Sequence, residues 1–201
     1  MKNIEIENNK SPNFIGCWNI DNNKLCQNII KFFDENTALQ KQGVTGLGID
    51  ETIKKTTDIT INPSSLKEVK FNLFNDYFKS LNECFVNYKE QYLFLNTFLK
   101  KTHIGHFNIQ KYLPGDHFSS LHSERTDLSN LHRIFAWMTY LNDVEDGGTT
   151  DFDYYKIKIQ PKVGKTLIWP AEWTHAHSGE ILNSGVKYIV TGWMHFPHNT
   201  E

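Results

Sequence analysis

Phe107-Asn108-Ile109-Gln110-Lys111-Tyr112-Leu113, stopped by Pro114-Gly115, is the stretch whose reading decides the fold. Its polar and apolar side chains alternate with the two-residue period of a strand. Asn108, Gln110 and Tyr112 share one face. That polar face either lines a wet cavity or meets bulk solvent; the residues alone leave both open. The stretch belongs to a run at 105–113, and similar runs follow at 133–142, 154–160, 164–169 and 186–196. Pro114-Gly115, Asp146-Gly147-Gly148, Pro161 and Ser184-Gly185 break them. Short strands with turn residues between them predict an all-β half, as in a sandwich or barrel.

Upstream the texture is helical. Phe14-Ile15-Gly16-Cys17-Trp18 reads as a short strand after a loose arm of about 13 residues. Asp21 is positioned to cap a helix whose Leu25, Ile29, Phe32 and Phe33 fall on one face. Residues 40–52 are glycine-rich and irregular, and Thr57–Ile61 reads as a strand stopped by Asn62-Pro63. Ser65-Leu66-Lys67-Glu68 has the pattern of a capping box and is expected to open the longest helix. Leu66, Val69, Leu73, Tyr77, Leu81, Cys84, Phe85 and Tyr88 form its stripe, which reads as core packing. Helices first and strands later predict an α+β class, with N-terminal helices buttressing a β-sandwich. The 201 residues suit one domain: helical support over about 20–103, β core over about 104–197.

Bulk composition excludes some partners. The formal net charge is −2 and the lysines are scattered, which leaves no electrostatic footprint for nucleic acid and no polybasic membrane patch. No apolar run approaches the roughly 18 residues of a membrane span. The polar start, residues 1–13, has no signal-peptide character. Cys17, Cys26 and Cys84 are an odd count without CxxC spacing, so they read as free thiols. Cytoplasm is the expected location, the host's if the chain is viral.

His122-Ser123-Glu124 is the first chemical signal. On an extended segment, residues two apart project to the same side. Alone the signal is weak, since a chain with 9 His and 23 Asp or Glu carries such a triplet by chance. Trp173-Thr174-His175-Ala176-His177-Ser178-Gly179 lies downstream and supplies a candidate third ligand, His175 or His177. Two histidines and one carboxylate leave coordination positions open and favour non-haem Fe(II). Zinc hydrolysis uses a similar set, but the chain has no HExxH. A non-catalytic, cupin-like metal- or ligand-binding module is the other reading.

The ordered motifs around these residues resemble a known family. Lys111-Tyr112-Leu113-Pro114-Gly115-Asp116-His117-Phe118 precedes His122-Ser123-Glu124. Arg133, Thr139-Tyr140-Leu141-Asn142 and Gly147-Gly148-Thr149-Thr150-Asp151-Phe152 come next. Pro161-Lys162-Val163-Gly164-Lys165, Leu167-Ile168-Trp169-Pro170, His177, Gly185-x-Lys187-Tyr188 and Trp193 complete the set. From about Phe107 to Phe196 the chain is similar to Fe(II)/2-oxoglutarate oxygenases of the prolyl 4-hydroxylase type, especially small members from phages and marine bacteria.

That resemblance implies a double-stranded β-helix, the jelly-roll or cupin-like form of the β-sandwich. It implies His122, Glu124 and His177 as iron ligands, with His177 chosen over His175 by its ten-residue interval to Lys187. Lys187 would pair with the distal carboxylate of 2-oxoglutarate, and Tyr112 and Tyr140 would line the co-substrate site. O₂ would be the oxidant, and ascorbate is expected to support activity. The implied reaction couples 2-oxoglutarate decarboxylation to C–H hydroxylation, of a prolyl residue in a peptide or protein or of another residue or small molecule. Arg125, Trp137 and the 54–58 segment are candidate substrate contacts. The family's usual motif is His-x-Asp; Glu124 is one methylene longer, which puts the relative metal affinity in question. His103, His106, His117, His132, His195 and His198 read as structural or exposed.

Overall fold

The computed structural model of the chain describes residues 2–3, 12–46 and 48–197. Of the expected arm, residues 1 and 4–11 lie outside the described residues, as does His198. The described strands are β1 (Lys2–Asn3), β2 (Gly16–Asn19), β3 (Lys41–Gln42), β4 (Lys54–Lys55), β5 (Thr57–Ile61), β6 (His103–Ile104) and β7 (Phe107–Tyr112). They continue with β8 (His117–His122), β9 (Arg133–Tyr140), β10 (Thr150–Phe152), β11 (Ile157–Ile159), β12 (Lys165–Pro170), β13 (His177–Gly179) and β14 (Lys187–His195). The helices are α1 (Asn23–Glu35), α2 (Leu73–Gln91) and α3 (Leu95–Phe98).

The large sheet runs β1-β2-β12-β9-β14-β7-β5-β3, with β6 paired to the end of β14. The small sheet runs β11-β10-β13-β8-β4. Pairings are antiparallel throughout the described residues, which fits the jelly-roll class. The early strands β2, β4 and β5 extend sheets built mainly from the later half.

Strand alternation divides the core in two. On β9, Phe135 and Trp137 face the helices, while Ala136, Met138 and Tyr140 face the small sheet. On β7, Phe107 and Ile109 face the helices. Gln110 and Tyr112 point the other way and are buried. Two of the three residues of that polar face therefore lie inside the molecule, while Asn108 is half-buried and accepts from Thr60 at the surface. The helix-side core is dense in aromatics: Phe74 packs edge-on against Phe107 at 5.3 Å, and Tyr77 lies 5.8 Å from Trp137. Gly192 on β14 permits this closeness, because a Cβ there would sit 2.7 Å from Trp137 and 2.9 Å from Phe107.

Two expectations about helix starts are corrected. Asn22, not Asp21, caps α1: its Oδ1 accepts the Leu25 N–H at 3.0 Å. Asp21 adopts a left-handed φ of 47°, and its N–H donates to Asn19 Oδ1. It belongs to the preceding turn and sits one residue too early. The 65–68 pattern does not open α2 either. It lies in a 3-10 turn, and Glu68 is extended at ψ 137°. That breaks the helical run, α2 begins at Leu73, and Val69 is left 83% exposed. From Tyr77 onward the expected stripe is buried, with Leu81, Cys84, Phe85 and Tyr88. Among the described residues, no helix is long and apolar enough to cross a membrane.

Candidate metal and co-substrate site

The antiparallel pairing of β8 with β13 sets His122 directly opposite His177. Their ring centroids are 4.4 Å apart. Glu124 lies just past the end of β8 and turns back between them. Its Oε1 is 3.3 Å from His177 Nε2 and 4.0 Å from His122 Nε2. One ligand atom from each of the three lies within 4.8 Å of the others.

The histidine tautomers follow from their partners. His122 Nδ1 is 2.8 Å from the Ser120 carbonyl, and His177 Nδ1 is 2.9 Å from the His175 carbonyl. A carbonyl oxygen can only accept, so each Nδ1 carries the proton. Each Nε2 lone pair is then free at the centre of the group, in the arrangement metal-binding histidines use. Rings also wall the imidazoles. Phe118 stacks on His122 at 3.9 Å, and Trp169 and Phe152 flank His177 at 5.1 and 5.5 Å.

Glu124 is held from behind. The Trp193 indole N–H donates to its Oε2 at 2.7 Å. Arg133 donates to the Glu124 backbone carbonyl at 3.0 Å, and its guanidinium lies 3.7 Å over the Trp193 ring. Burial pushes the Glu124 carboxyl up, but the histidines and Trp193 outweigh it and hold the carboxyl down at about 2. Burial and the neighbouring His177 push His122 down to about 4. Carboxylate and neutral imidazole are the forms a metal needs at neutral pH. These donors suit a ferrous ion. The longer acid is matched by an indole that fixes its far oxygen.

His175 is turned away. It closes a short 3-10 turn, Trp173–His175, so the strand geometry that would have set it beside His177 does not apply. Its Nε2 meets the Asn13 carbonyl at 2.9 Å and its Nδ1 meets Thr174 Oγ1 at 2.9 Å. Only its carbonyl serves the site, by orienting His177.

Lys187 lies on the same face of the large sheet as the inter-sheet core. It is 3% exposed. Its Nζ donates to the Gly148 carbonyl at 3.0 Å and sits 4.0 Å over the Tyr112 ring. Among the described residues it forms no ion pair, and burial lowers its pKa to about 8. Tyr112 pairs with it across β7 and β14. Tyr140 is also buried, its hydroxyl bonded to Thr150 Oγ1 and, at 3.3 Å, to the Ile159 carbonyl.

The substrate contact expected at Trp137 is corrected, and within the 54–58 segment Lys55 stays exposed while its neighbours Lys54 and Asp58 turn inward. Trp137 is fully buried on the helix side of β9, the face away from the histidines. Lys54 and Asp58 are buried and paired with each other at 2.7 Å. Arg125 is spent on an ion pair with Glu172. His106 packs on Trp193, and His132 on His195, as structural residues. Sequence reasoning missed the roles of Trp193 and Arg133, although both stood in the ordered motif set. It also missed that Phe118 stacks on His122 and that Gln110 and Asp58 stand behind Tyr112.

Residues 107–195 match the profile of the 2OG-Fe(II) oxygenase superfamily. Over this stretch, 89 of the 201 residues, the chain is similar to a 2OG-Fe(II) oxygenase domain. The match makes the protein a 2-oxoglutarate-dependent dioxygenase, and its range contains His122, Glu124, His177, Lys187, Tyr112 and Tyr140. A search of curated sequences finds no significant match. Solved structures share the oxygenase's fold. A viral collagen prolyl hydroxylase from Paramecium Bursaria Chlorella virus-1, in its 2OG complex, aligns with TM-score 0.67 at 17% identity, covering 92% of this chain and 97% of that one. A Pseudomonas putida prolyl-4-hydroxylase aligns with TM-score 0.69 at 17% identity, covering 90% and 92%. A Trichoplax adhaerens prolyl hydroxylase in complex with a hypoxia inducible factor peptide fragment gives TM-score 0.69 at 14% identity, covering 91% and 84%.

Proposed function

We propose that the chain is a single-domain Fe(II)- and 2-oxoglutarate-dependent hydroxylase of peptide or protein residues, with proline as the target. We read its two facing sheets as a double-stranded β-helix. His122, Glu124 and His177 would hold the iron, and Lys187, Tyr112 and Tyr140 the co-substrate. The observation that carries this reading is a buried His-Glu-His cluster beside a buried lysine that makes no ion pair among the described residues, the Glu180 carboxylate acting on it without contact.

Iron, when bound with 2-oxoglutarate and O₂, supplies oxidative decarboxylation and insertion of an oxygen atom into a C–H bond. The chain's residues do the rest. The Ser120 and His175 carbonyls fix the two imidazoles, and Trp193 and Arg133 fix the carboxylate. Lys187 offers an ammonium in a dry setting, where a charge-assisted bond to a carboxylate is strong. The prolyl assignment draws on the three structural relatives, all prolyl hydroxylases.

The test is incubation with Fe(II), ascorbate, 2-oxoglutarate and a pool of proline-rich peptides, followed by mass spectrometry. A single added oxygen mapped to proline is expected. Succinate release with oxygen on another residue type, or on no peptide, would overturn the prolyl assignment.

A further inference from the structure

Tyr112 does not stand alone behind Lys187. A chain of buried hydrogen bonds runs from its hydroxyl into the protein. The phenol is 2.9 Å from Gln110 Oε1. Gln110 Nε2 is 3.0 Å from Asp58 Oδ2. Asp58 also accepts from Lys54 Nζ at 2.7 Å and from Thr56 Oγ1 at 2.7 Å. Lys54, Asp58, Gln110 and Tyr112 are each 6% exposed or less.

The direction of every bond in this chain is fixed by chemistry. Asp58 is paired with an ammonium, so it is a carboxylate and only accepts. Gln110 must therefore turn its NH₂ toward Asp58, which leaves its oxygen facing Tyr112. An amide oxygen also only accepts, so the Tyr112 hydroxyl must donate to it. Its one proton is committed inside the protein. Meanwhile the flat face of the same ring lies 4.0 Å below the Lys187 ammonium. A buried, desolvated ammonium over an aromatic face is a stabilising contact.

We propose that Tyr112 serves the co-substrate site through its ring, as the platform that positions Lys187, and not by donating its hydroxyl to 2-oxoglutarate. Gln110, oriented by Asp58, is the positioning residue that anchors that ring. This rests on Lys187 being the co-substrate's carboxylate partner.

The test measures 2-oxoglutarate binding by calorimetry to the Mn(II)-loaded protein without oxygen, with thermal melting to confirm folding. Gln110→Met keeps the volume and removes the acceptor. Tyr112→Phe keeps the ring and removes the donor. Each should weaken binding by the same few-fold, roughly 3- to 10-fold for one lost hydrogen bond. The double variant should be no weaker than either single one, since both cut the same bond. Tyr112→Leu, which removes the platform, should cost about thirty-fold. If Tyr112→Phe costs as much as Tyr112→Leu while Gln110→Met costs nothing, the hydroxyl binds the co-substrate directly and the proposal fails alone. If the wild type does not bind 2-oxoglutarate, or binds equally after Lys187→Ala, the co-substrate site itself fails and takes the proposal with it. Should Gln110→Met not fold, equal binding by Tyr112→Phe and Tyr112→Leu still overturns the platform.

Discussion

Two lysines are buried in this protein to the same depth, Lys54 at 4% exposure and Lys187 at 3%. Their surroundings differ in one respect. Lys54 has a carboxylate 2.7 Å away in Asp58. Lys187 has a ring face and one backbone carbonyl in contact, and feels the Glu180 carboxylate without forming an ion pair. A buried charge is costly unless paired. The first lysine is settled within the fold, whereas the second carries a cost that an incoming anion removes. One is architecture and the other is a binding site.

The sharpest way to break this contrast is to remove one member of the closed pair. Asp58→Asn should destabilise the protein by about 3–5 kcal/mol, because it strands the Lys54 ammonium; chemical denaturation reads this. Lys187→Ala should behave in the opposite sense, with stability in the absence of ligand unchanged or raised. Its loss appears in 2-oxoglutarate binding, weakened by about 2–5 kcal/mol in calorimetry. Equal destabilisation by both substitutions would erase the distinction.

A smaller effect concerns the metal group. Trp193→Phe deletes the indole N–H that fixes Glu124 Oε2. Metal affinity should fall by about 10- to 100-fold, as for other groups behind a ligand, with little change in melting temperature. Competition with a metal chelator measures it. The mildest test is pH. The Lys187 pKa is lowered to about 8 by burial, so the charged form dominates below that pH and is lost above it. A bound carboxylate favours the charged form. Affinity for 2-oxoglutarate should be level below about 8 and decline above it, by at most about tenfold per pH unit. Lys187→Ala should flatten that decline.

The same division between local and long-range information decides what was legible in the sequence. The strands β7, β9, β12 and β14 were read from alternation, because each buries a face of several residues in a row. The strands β8, β10 and β13 were not read. β8 is half-exposed along its length, and β13 is three residues with an irregular register. Yet β8 and β13 carry both histidines. The ligand candidates were legible only through the ordered motifs around them. How Glu124 is held depends on Trp193, 69 residues away. How Tyr112 is anchored depends on Asp58, 52 residues from Gln110. No local pattern carries either. Trp137 was a misreading that alternation could have prevented, since it stands one residue from Met138 and three from Tyr140, on the other face of β9.

The most direct test of the account is succinate release from labelled 2-oxoglutarate by the Fe(II)-loaded protein, comparing His177→Ala with His175→Ala. His177→Ala should abolish turnover, because it removes a metal ligand. His175→Ala should retain it, because only its backbone carbonyl reaches the site. Wild-type turnover in His177→Ala would contradict the metal centre on which the account rests.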